Sequence, residues 1–311
     1  MENIPLVSCT VVTYNSSKYV LETLESIYYQ TYPRLELIVS DDCSTDNTVQ
    51  LCKEWIERHK ERFERTLVLE IDHNTGVSAN LNRADAACQG EWCKGIAGDD
   101  LLLPNCVQDC MDYVTSHPDD DIVYLFGRVE AFGGTSEHNA KFNNDVFDYS
   151  IFDLTCEQQY EKLMVRNCIP AATCFTNRKG VLRLGIKNDE RIPMLEDWPK
   201  WLRLTKAGVK LNFLDKTIVK YRLHQESLST GEISHSSRVC RAKVWIYYLY
   251  KPFFKRYPWH SMGVYLRFRY FVSESSLWRC LWVLYRLADK LLYFRRQRPT
   301  LPCDKLLWIL H

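Results

Sequence analysis

The sequence predicts an α/β fold, a mostly parallel sheet flanked by helices, followed by a helical C-terminal extension. Three observations carry this. Short β-branched runs alternate with amphipathic stretches from Leu6 to Val114, the pattern of right-handed βαβ units. Polar clusters stand at the ends of the strand-like runs, where parallel sheets gather their functional groups. Beyond residue 237 the composition turns basic and aromatic.

The elements follow in order. Leu6–Thr13 is a buried strand ending in the capping residues Tyr14-Asn15-Ser16. The helix after it carries Val20, Leu21, Leu24, Ile27 and Tyr28 on one face and stops before Pro33. Leu35–Ser40 is a strand that runs into Asp41-Asp42-Cys43-Ser44-Thr45-Asp46, and a helix covers Asn47–Arg62. Leu67–Ile71 is the third strand and 77–88 the third helix. Glu91–Ala97 is the fourth strand, ending at Gly98-Asp99-Asp100, and Pro104 suits the first turn of the next helix. Ile122–Phe126 is a strand. Gly127–Asp148 is polar and reads as a long loop or hairpin. A helix near Glu157–Val165, a strand near Ala172–Phe175, a helix over Pro193–Ala207 and one or two strands in Lys210–Leu223 complete the body. Short helices are expected over 239–255, 262–272 and 277–296, the last with an apolar stripe that includes Leu277, Leu281, Leu284 and Tyr285.

At 311 residues, 46% apolar and 25% charged, the chain has ordinary globular composition, which excludes disorder and low complexity. The net charge of +1 hides an asymmetry. Residues 238–311 hold 15 Lys/Arg against 3 Asp/Glu, whereas residues 1–237 hold 25 against 36. The tail also holds 18 of the 40 aromatics, the composition of helices lying on an anionic membrane surface. No nucleic-acid-binding motif is present. The longest apolar run in the tail, Val244 to Tyr250, is far short of the ~18 residues that span a bilayer. The first residues carry no basic n-region or cleavage pattern. The 13 cysteines form no Cys-x-x-Cys pair or zinc spacing and read as reduced thiols. These features predict a cytoplasmic protein, peripheral at the inner face of the cell membrane.

The acidic clusters carry the chemistry. Asp99-Asp100 ends a strand, and adjacent carboxylates repel unless a cation or donor offsets them. Mn²⁺ or Mg²⁺ suits such a pair, with a substrate diphosphate completing the shell. A helix cap is the competing role. Asp42 can accept from a nucleobase N–H, while Thr45 or Asp46 caps the next helix. Glu196-Asp197 opens a helix, where the dipole alone favours acids, and can also supply a general base. His224 follows a strand, and its neutral imidazole can ligate a metal.

Seven motifs stand in sequence: Val11-Val12-Thr13-Tyr14-Asn15; Ile38 to Asp46; Asn74-Thr75-Gly76 to Asn82; Gly90-Glu91-Trp92; Ala97-Gly98-Asp99-Asp100; Glu196-Asp197; and Tyr221-Arg222-Leu223-His224. Together, over about 6–229, they resemble family 2 of the inverting, nucleotide-sugar-dependent glycosyltransferases with the GT-A fold. Cys43 stands where that family commonly has Gly, and Ala97-Gly98 where a further Asp is frequent.

The resemblance implies a catalytic domain over 1–237, its nucleotide-sugar half about 1–120 and its acceptor half about 121–237; the motifs do not cover 238–311, a helical extension whose apolar stripe either packs onto the catalytic domain or leaves a basic rim for a membrane surface. It implies a donor-binding set of Thr13, Tyr14, Asn15, Asp42, Gly76, Asn82 and Asp99, with Asp42 on a uracil edge and Gly76 close to the nucleotide. It implies metal ligation by Asp100 and His224, Asp197 as base supported by Glu196, and Trp198 stacking on the acceptor. The expected reaction moves a sugar from a nucleotide-sugar donor, a UDP-sugar, to a hydroxyl of a glycan acceptor, lipid-linked, in surface-polysaccharide assembly.

Two other classes compete. A nucleotidyltransferase acting on sugar phosphates would show a Gly-rich N-terminal loop, but no glycine precedes Gly76. A dehydrogenase would need G-x-G-x-x-G after a strand, which is absent. A catalytically silent sugar-nucleotide-binding scaffold would keep the fold without turnover.

Overall fold

The computed structural model describes residues 4–164, 166–223 and 235–244, and in the remainder 247–248, 262, 265–266, 269, 277 and 280–285. It divides into two compact units, Met1–Tyr160 with Cys168–Gly231, and Glu161–Asn167 with Glu232–His311.

The first unit is built on one eight-stranded sheet. Its strands are β1 (Val7–Thr13), β2 (Leu35–Asp41), β3 (Arg65–Leu69), β4 (Trp92–Ala97), β5 (Leu101–Leu102), β6 (Tyr124–Phe132), β7 (Phe175–Asn177) and β8 (Leu211–Arg222), in the order β3-β2-β1-β4-β7-β6-β8-β5. Strands β3, β2, β1 and β4 are parallel, as are β6 and β8; β7 and β5 pair antiparallel. The register puts Thr13 opposite Asp41 and Val12 opposite Ala97, so three strand ends reach one rim together.

Helices α1 (Val20–Tyr28), α2 (Thr48–His59) and α4 (Cys106–Ser116) bring Leu24, Ile27, Cys52, Trp55, Val107 and Met111 into the main core with Val7, Cys9, Val11, Leu37 and Val39 of the strands. Helix α3 (Val77–Ala87) leads through Cys88 to a second cluster with Ile38 and Cys93. Helix α8 (Asp197–Lys206) sets Trp201 edge-on to Tyr124 and Phe126, with centroids 5.8 and 5.0 Å away. Helices α1, α2, α4 and α8 carry buried apolar residues at helical spacing, the signal by which the sequence places them.

Two expectations change. The stretch expected to be a loop over Gly127–Asp148 is instead the second half of β6 and a helix, α5 (Ser136–Asp145). Strand β6 continues because β8 pairs along its length, with a register shift at Gly127 of the kind a bulge produces. Thr135 caps α5 by accepting the His138 N–H at 3.2 Å. The strand expected near Ala172–Phe175 starts later, at Phe175, and is followed by a short helix, α7 (Arg178–Leu184), which Asn177 caps at the Gly180 N–H. Lys210–Leu223 is one long strand. Between α5 and β7 lies α6 (Cys156–Leu163).

In the second unit the described residues include helix α9 (His235–Val244). The helices expected over 239–255, 262–272 and 277–296 lie largely outside the described residues. Among those described, Leu277 and Leu284 of the apolar stripe are 61% and 60% exposed.

Candidate active site

The ends of β1 and β2 are laced by short polar side chains. Thr13 Oγ1 donates to Asp41 Oδ1 at 2.7 Å, and the Thr13 carbonyl accepts the Asp42 N–H at 3.0 Å. The Asn15 N–H donates to Ser44 Oγ at 2.8 Å, while Asn15 Oδ1 accepts the Thr45 N–H at 2.8 Å. Asn15 and Cys43 adopt left-handed backbone, with φ of 51° and 66°. Glycine meets such a geometry without cost, whereas Cys43 bears about 1–2 kcal/mol of strain. Tyr14, just before Asn15, is 51% exposed. Asp46, expected to cap α2, accepts the Thr48 N–H at 3.0 Å.

Asp42 is 2% exposed. Its carboxylate accepts the N–H groups of Thr75 and Gly76, the Thr75 hydroxyl at 2.6 Å and Arg83 Nη2 at 3.2 Å. Burial alone would raise this carboxyl, but those donors outweigh it and hold it below the usual carboxylate range. Gly76 has φ of 86°, and a Cβ there would lie 2.6 Å from the Pro193 Cβ and 2.9 Å from the Pro193 carbonyl oxygen. The close approach this glycine permits in the structure is therefore to Pro193. Asn82 turns its amide to the 188–190 segment, donating to the Asn188 carbonyl at 3.0 Å and to Glu190 at 2.8 Å.

The end of β4 lies against β1. A Cβ on Gly98 would stand 2.9 Å from Thr13 Cγ2, so only glycine lets the Asp99-Asp100 turn come this close. Asp99 is half-buried and Asp100 is 3% exposed. The Asp100 carbonyl accepts Thr23 Oγ1 at 2.8 Å, and Asp100 Oδ1 accepts the Arg222 N–H at 2.8 Å. Burial, and then the charge of Asp99, push the Asp100 carboxyl well above the usual range. An oxygen-only pair whose repulsion a cation would offset suits a hard divalent ion. Among the described residues no group of three or more His, Cys, Asp or Glu side chains could hold a metal. An ion here would complete its shell from a ligand. His224 lies outside the described residues.

Glu196 and Asp197 open α8. Ser78 joins them to the rest of the rim: its N–H donates to the Pro193 carbonyl at 3.2 Å and its Oγ to the Ile192 carbonyl at 2.7 Å. Asp42, Gly76, Ser78 and the Ile192-Pro193 segment thus form one run of contacts, and that segment leads along the chain into α8. The half-buried Glu196 carboxyl is pushed up to about 7, first by burial and then by Asp197. Asp197 Oδ1 accepts the Trp198 N–H at 2.7 Å. Trp198 departs from expectation: it is 4% exposed, because it lies on the buried side of α8, and its ring is not presented for stacking.

Two arginines of this site carry no sequence signal of their own. Arg83 reaches Ser40 Oγ, the Asp41 carbonyl, Asp42 and Asn80 Oδ1. Arg222 binds the Asp99 carbonyl through Nε at 2.7 Å. Arg222 lies inside the motif Tyr221-Arg222-Leu223-His224 and Arg83 directly follows the motif that ends at Asn82, and only these places could have pointed to them.

Residues 8–183 match the model of glycosyl transferase family 2. The chain belongs to this family. As a family 2 glycosyltransferase it is similar to the putative teichuronic acid biosynthesis glycosyltransferase TuaG of Bacillus subtilis, 24% identical over 73% of this chain and 83% of that one. It is also similar to the UDP-Glc:alpha-D-GlcNAc-diphosphoundecaprenol beta-1,3-glucosyltransferase WfaP of Escherichia coli, 24% identical over 75% of this chain and 83% of that one. Among solved structures, S. aureus TarS 1–349 in complex with UDP-GlcNAc superposes with a TM-score of 0.59 at 18% identity, over 85% of this chain and 72% of TarS 1–349. Mannosyltransferase PcManGT from Pyrobaculum calidifontis, with GDP-Man and Mn²⁺, superposes with a TM-score of 0.56 at 18% identity, over 99% of this chain and 79% of that one. The fold of this family 2 glycosyltransferase is GT-A, and membership of the family excludes the nucleotidyltransferase and dehydrogenase readings.

Proposed function

We propose that the protein transfers a sugar from a UDP-sugar to a hydroxyl of a lipid-linked glycan acceptor, with inversion at the anomeric carbon, in polysaccharide biosynthesis. Two observations support this reading: Gly98 packs on Thr13, which brings the Asp99-Asp100 turn beside the end of β1, and Asp42 is joined through Gly76 to Pro193, three residues before Glu196. The chain's similarity to TuaG, of teichuronic acid biosynthesis, and to WfaP, which acts on alpha-D-GlcNAc-diphosphoundecaprenol, supports the polysaccharide and lipid-diphosphate context.

The exposed Tyr14 ring and the main chain of Thr13 to Asn15 take the nucleobase and ribose. Asp42 fixes the shape of the base pocket through Thr75 and Gly76. Asp99 faces the ribose or sugar. Asp100, with His224, would hold a Mn²⁺ or Mg²⁺ ion, whose charge would stabilise the leaving diphosphate when bound. Asp197 accepts the proton of the acceptor hydroxyl as that oxygen bonds to the anomeric carbon. The bond to the diphosphate oxygen breaks on the opposite face and the diphosphate leaves with the electron pair. A protonated Glu196 keeps a second negative charge away from Asp197, so one carboxyl carries the proton and its neighbour works as the base. A general base of this kind contributes about 10²–10⁴-fold.

The basic, aromatic tail binds the anionic membrane that carries the acceptor. No helix among the described residues is long and apolar enough to cross a membrane, and Leu277 and Leu284 are exposed. Sedimentation with anionic but not neutral vesicles is the expected behaviour, and equal binding to both removes this part of the reading.

A panel of UDP- and GDP-sugars incubated with the protein, Mn²⁺ and a lipid-diphosphate sugar acceptor tests the function. Acceptor-dependent release of nucleoside diphosphate from one donor is expected. Tight donor binding with no release from any donor would make the protein a silent scaffold.

A further inference from the structure

Arg222, the last residue of β8, closes that strand onto the Asp99-Asp100 turn. Its main-chain N–H donates to Asp100 Oδ1 at 2.8 Å, and its Nε donates to the Asp99 carbonyl at 2.7 Å. The guanidinium is itself anchored: Nη2 donates to Glu22 Oε2 at 2.7 Å, and its carbon lies 4.4 Å from the ring centroids of both Tyr19 and Phe132. The side chain is 11% exposed. Thr23 Oγ1 holds the Asp100 carbonyl from α1, and β5 pairs Leu101 and Leu102 with Lys220 and Val219 of β8. The turn is therefore fixed on both sides by residues far away in sequence.

Two adjacent carboxylates would swing apart in a mobile turn. The Arg222 N–H fixes the orientation of Asp100 through one of its two oxygens and leaves Oδ2 as the oxygen to offer. The guanidinium meanwhile grips the main chain one residue earlier. A fork gripping a carbonyl, a carboxylate and two rings is a geometry lysine cannot reproduce.

We propose that Arg222 is a positioning residue for the divalent ion: it locks the Asp99-Asp100 turn so that Asp100 presents Oδ2 to the cation of the metal–diphosphate complex. This rests on the reading that Asp100 ligates the metal. Charge alone makes the opposite demand, since removing a guanidinium near a cation site should tighten metal binding. Positioning and charge therefore predict opposite signs.

The test measures Mn²⁺ affinity of the full chain from the electron paramagnetic resonance signal of free Mn²⁺, with saturating UDP. Arg222→Lys, which keeps the charge and loses the fork, is expected to weaken Mn²⁺ binding about tenfold, the effect of one or two lost hydrogen bonds. Arg222→Gln is expected to weaken it as well. Affinity equal to or tighter than that of the wild type in both variants would overturn the proposal. Glu22→Gln, at an exposed carboxylate that anchors Arg222 without touching the turn, is expected to weaken binding about two- to threefold by the same hydrogen-bond scale. It carries the test if the Arg222 variants do not fold, and an unchanged affinity there would then overturn the proposal. Asp100→Asn separates the two readings. If it leaves Mn²⁺ binding intact, the metal assignment itself fails. If it abolishes binding while Arg222→Lys changes nothing, only the positioning role fails.

Discussion

The main-chain N–H of Gly76 donates to Asp42 Oδ2 at 2.7 Å. This bond ties the end of β2 to the loop that opens α3, and Thr75 and Arg83 add the remaining donors. The carboxylate is thus held in place by the protein's own donors before any ligand arrives. Asp42→Asn turns one acceptor oxygen into a donor facing N–H groups and leaves Arg83 without its ion pair. A loss of about 2–4 kcal/mol is expected at pH 7. The native carboxyl is held below its ordinary range, so the stability it adds is present above about pH 4 and disappears as pH falls through the native value. Denaturant titrations at pH 7 and pH 3 should show a gap between wild type and variant that narrows at the lower pH. A gap of the same size at both would mean the carboxylate is not the source.

Gly76 meets a second demand. With φ of 86° and a missing Cβ that would sit 2.6 Å from the Pro193 Cβ, Gly76→Ala incurs both backbone strain and overlap. About 2–6 kcal/mol is the expected cost, from ~1–3 for a backbone region essentially reserved to glycine and ~1–3 for overpacking. The segment that overlaps leads into Glu196-Asp197, so donor affinity and turnover should fall together. Thermal unfolding and steady-state kinetics on the one variant check this; a stable Gly76→Ala enzyme with wild-type kinetics would show that the loop relaxes freely.

Glu196 titrates against the trend of an ordinary acid. Its native carboxyl stands at about 7 against 4.5, raised by burial and by Asp197. The native state therefore holds this proton more tightly than the unfolded chain does. Stability falls as pH rises from about 4.5 to about 7, then levels. Glu196→Gln removes that loss, so a gain of roughly 1–3 kcal/mol is expected at pH 8 and none at pH 4. Sugar transfer should fall at the same time, a trade of activity for stability. Melting curves at the two pH values decide: a variant less stable than wild type at pH 8 would place Glu196 in an environment that favours its charge.

Much of this architecture could be read from the chain alone, and the reasons are local. Strands β1, β2 and β4 are apolar runs ending in Thr13, Asp41 and Ala97, and each is followed by a polar cluster. Helices α1 and α4 repeat apolar residues at helical spacing. What stayed hidden lacks such marks. Helix α5 buries only Phe142, so its sequence looks like a loop. Strand β6 passes through Gly127, which reads as a break but marks a register shift packed on Ile218. Arg83 and Arg222 act over 41 to 200 residues of sequence separation, and no local pattern announces such partners. Trp198 sits next to the acidic pair, yet the helical turn that leaves Asp197 half-buried carries Trp198 inward.

The most direct measurement compares donor affinity with turnover in Asp197→Asn. Calorimetry with the accepted UDP-sugar and Mn²⁺ gives the affinity, and acceptor-dependent UDP release gives the rate. The account predicts donor binding within about twofold of wild type and a rate lower by about 10²–10⁴-fold, the contribution of a positioned base. Near wild-type turnover in Asp197→Asn would contradict it, because proton removal from the acceptor would then belong to another group.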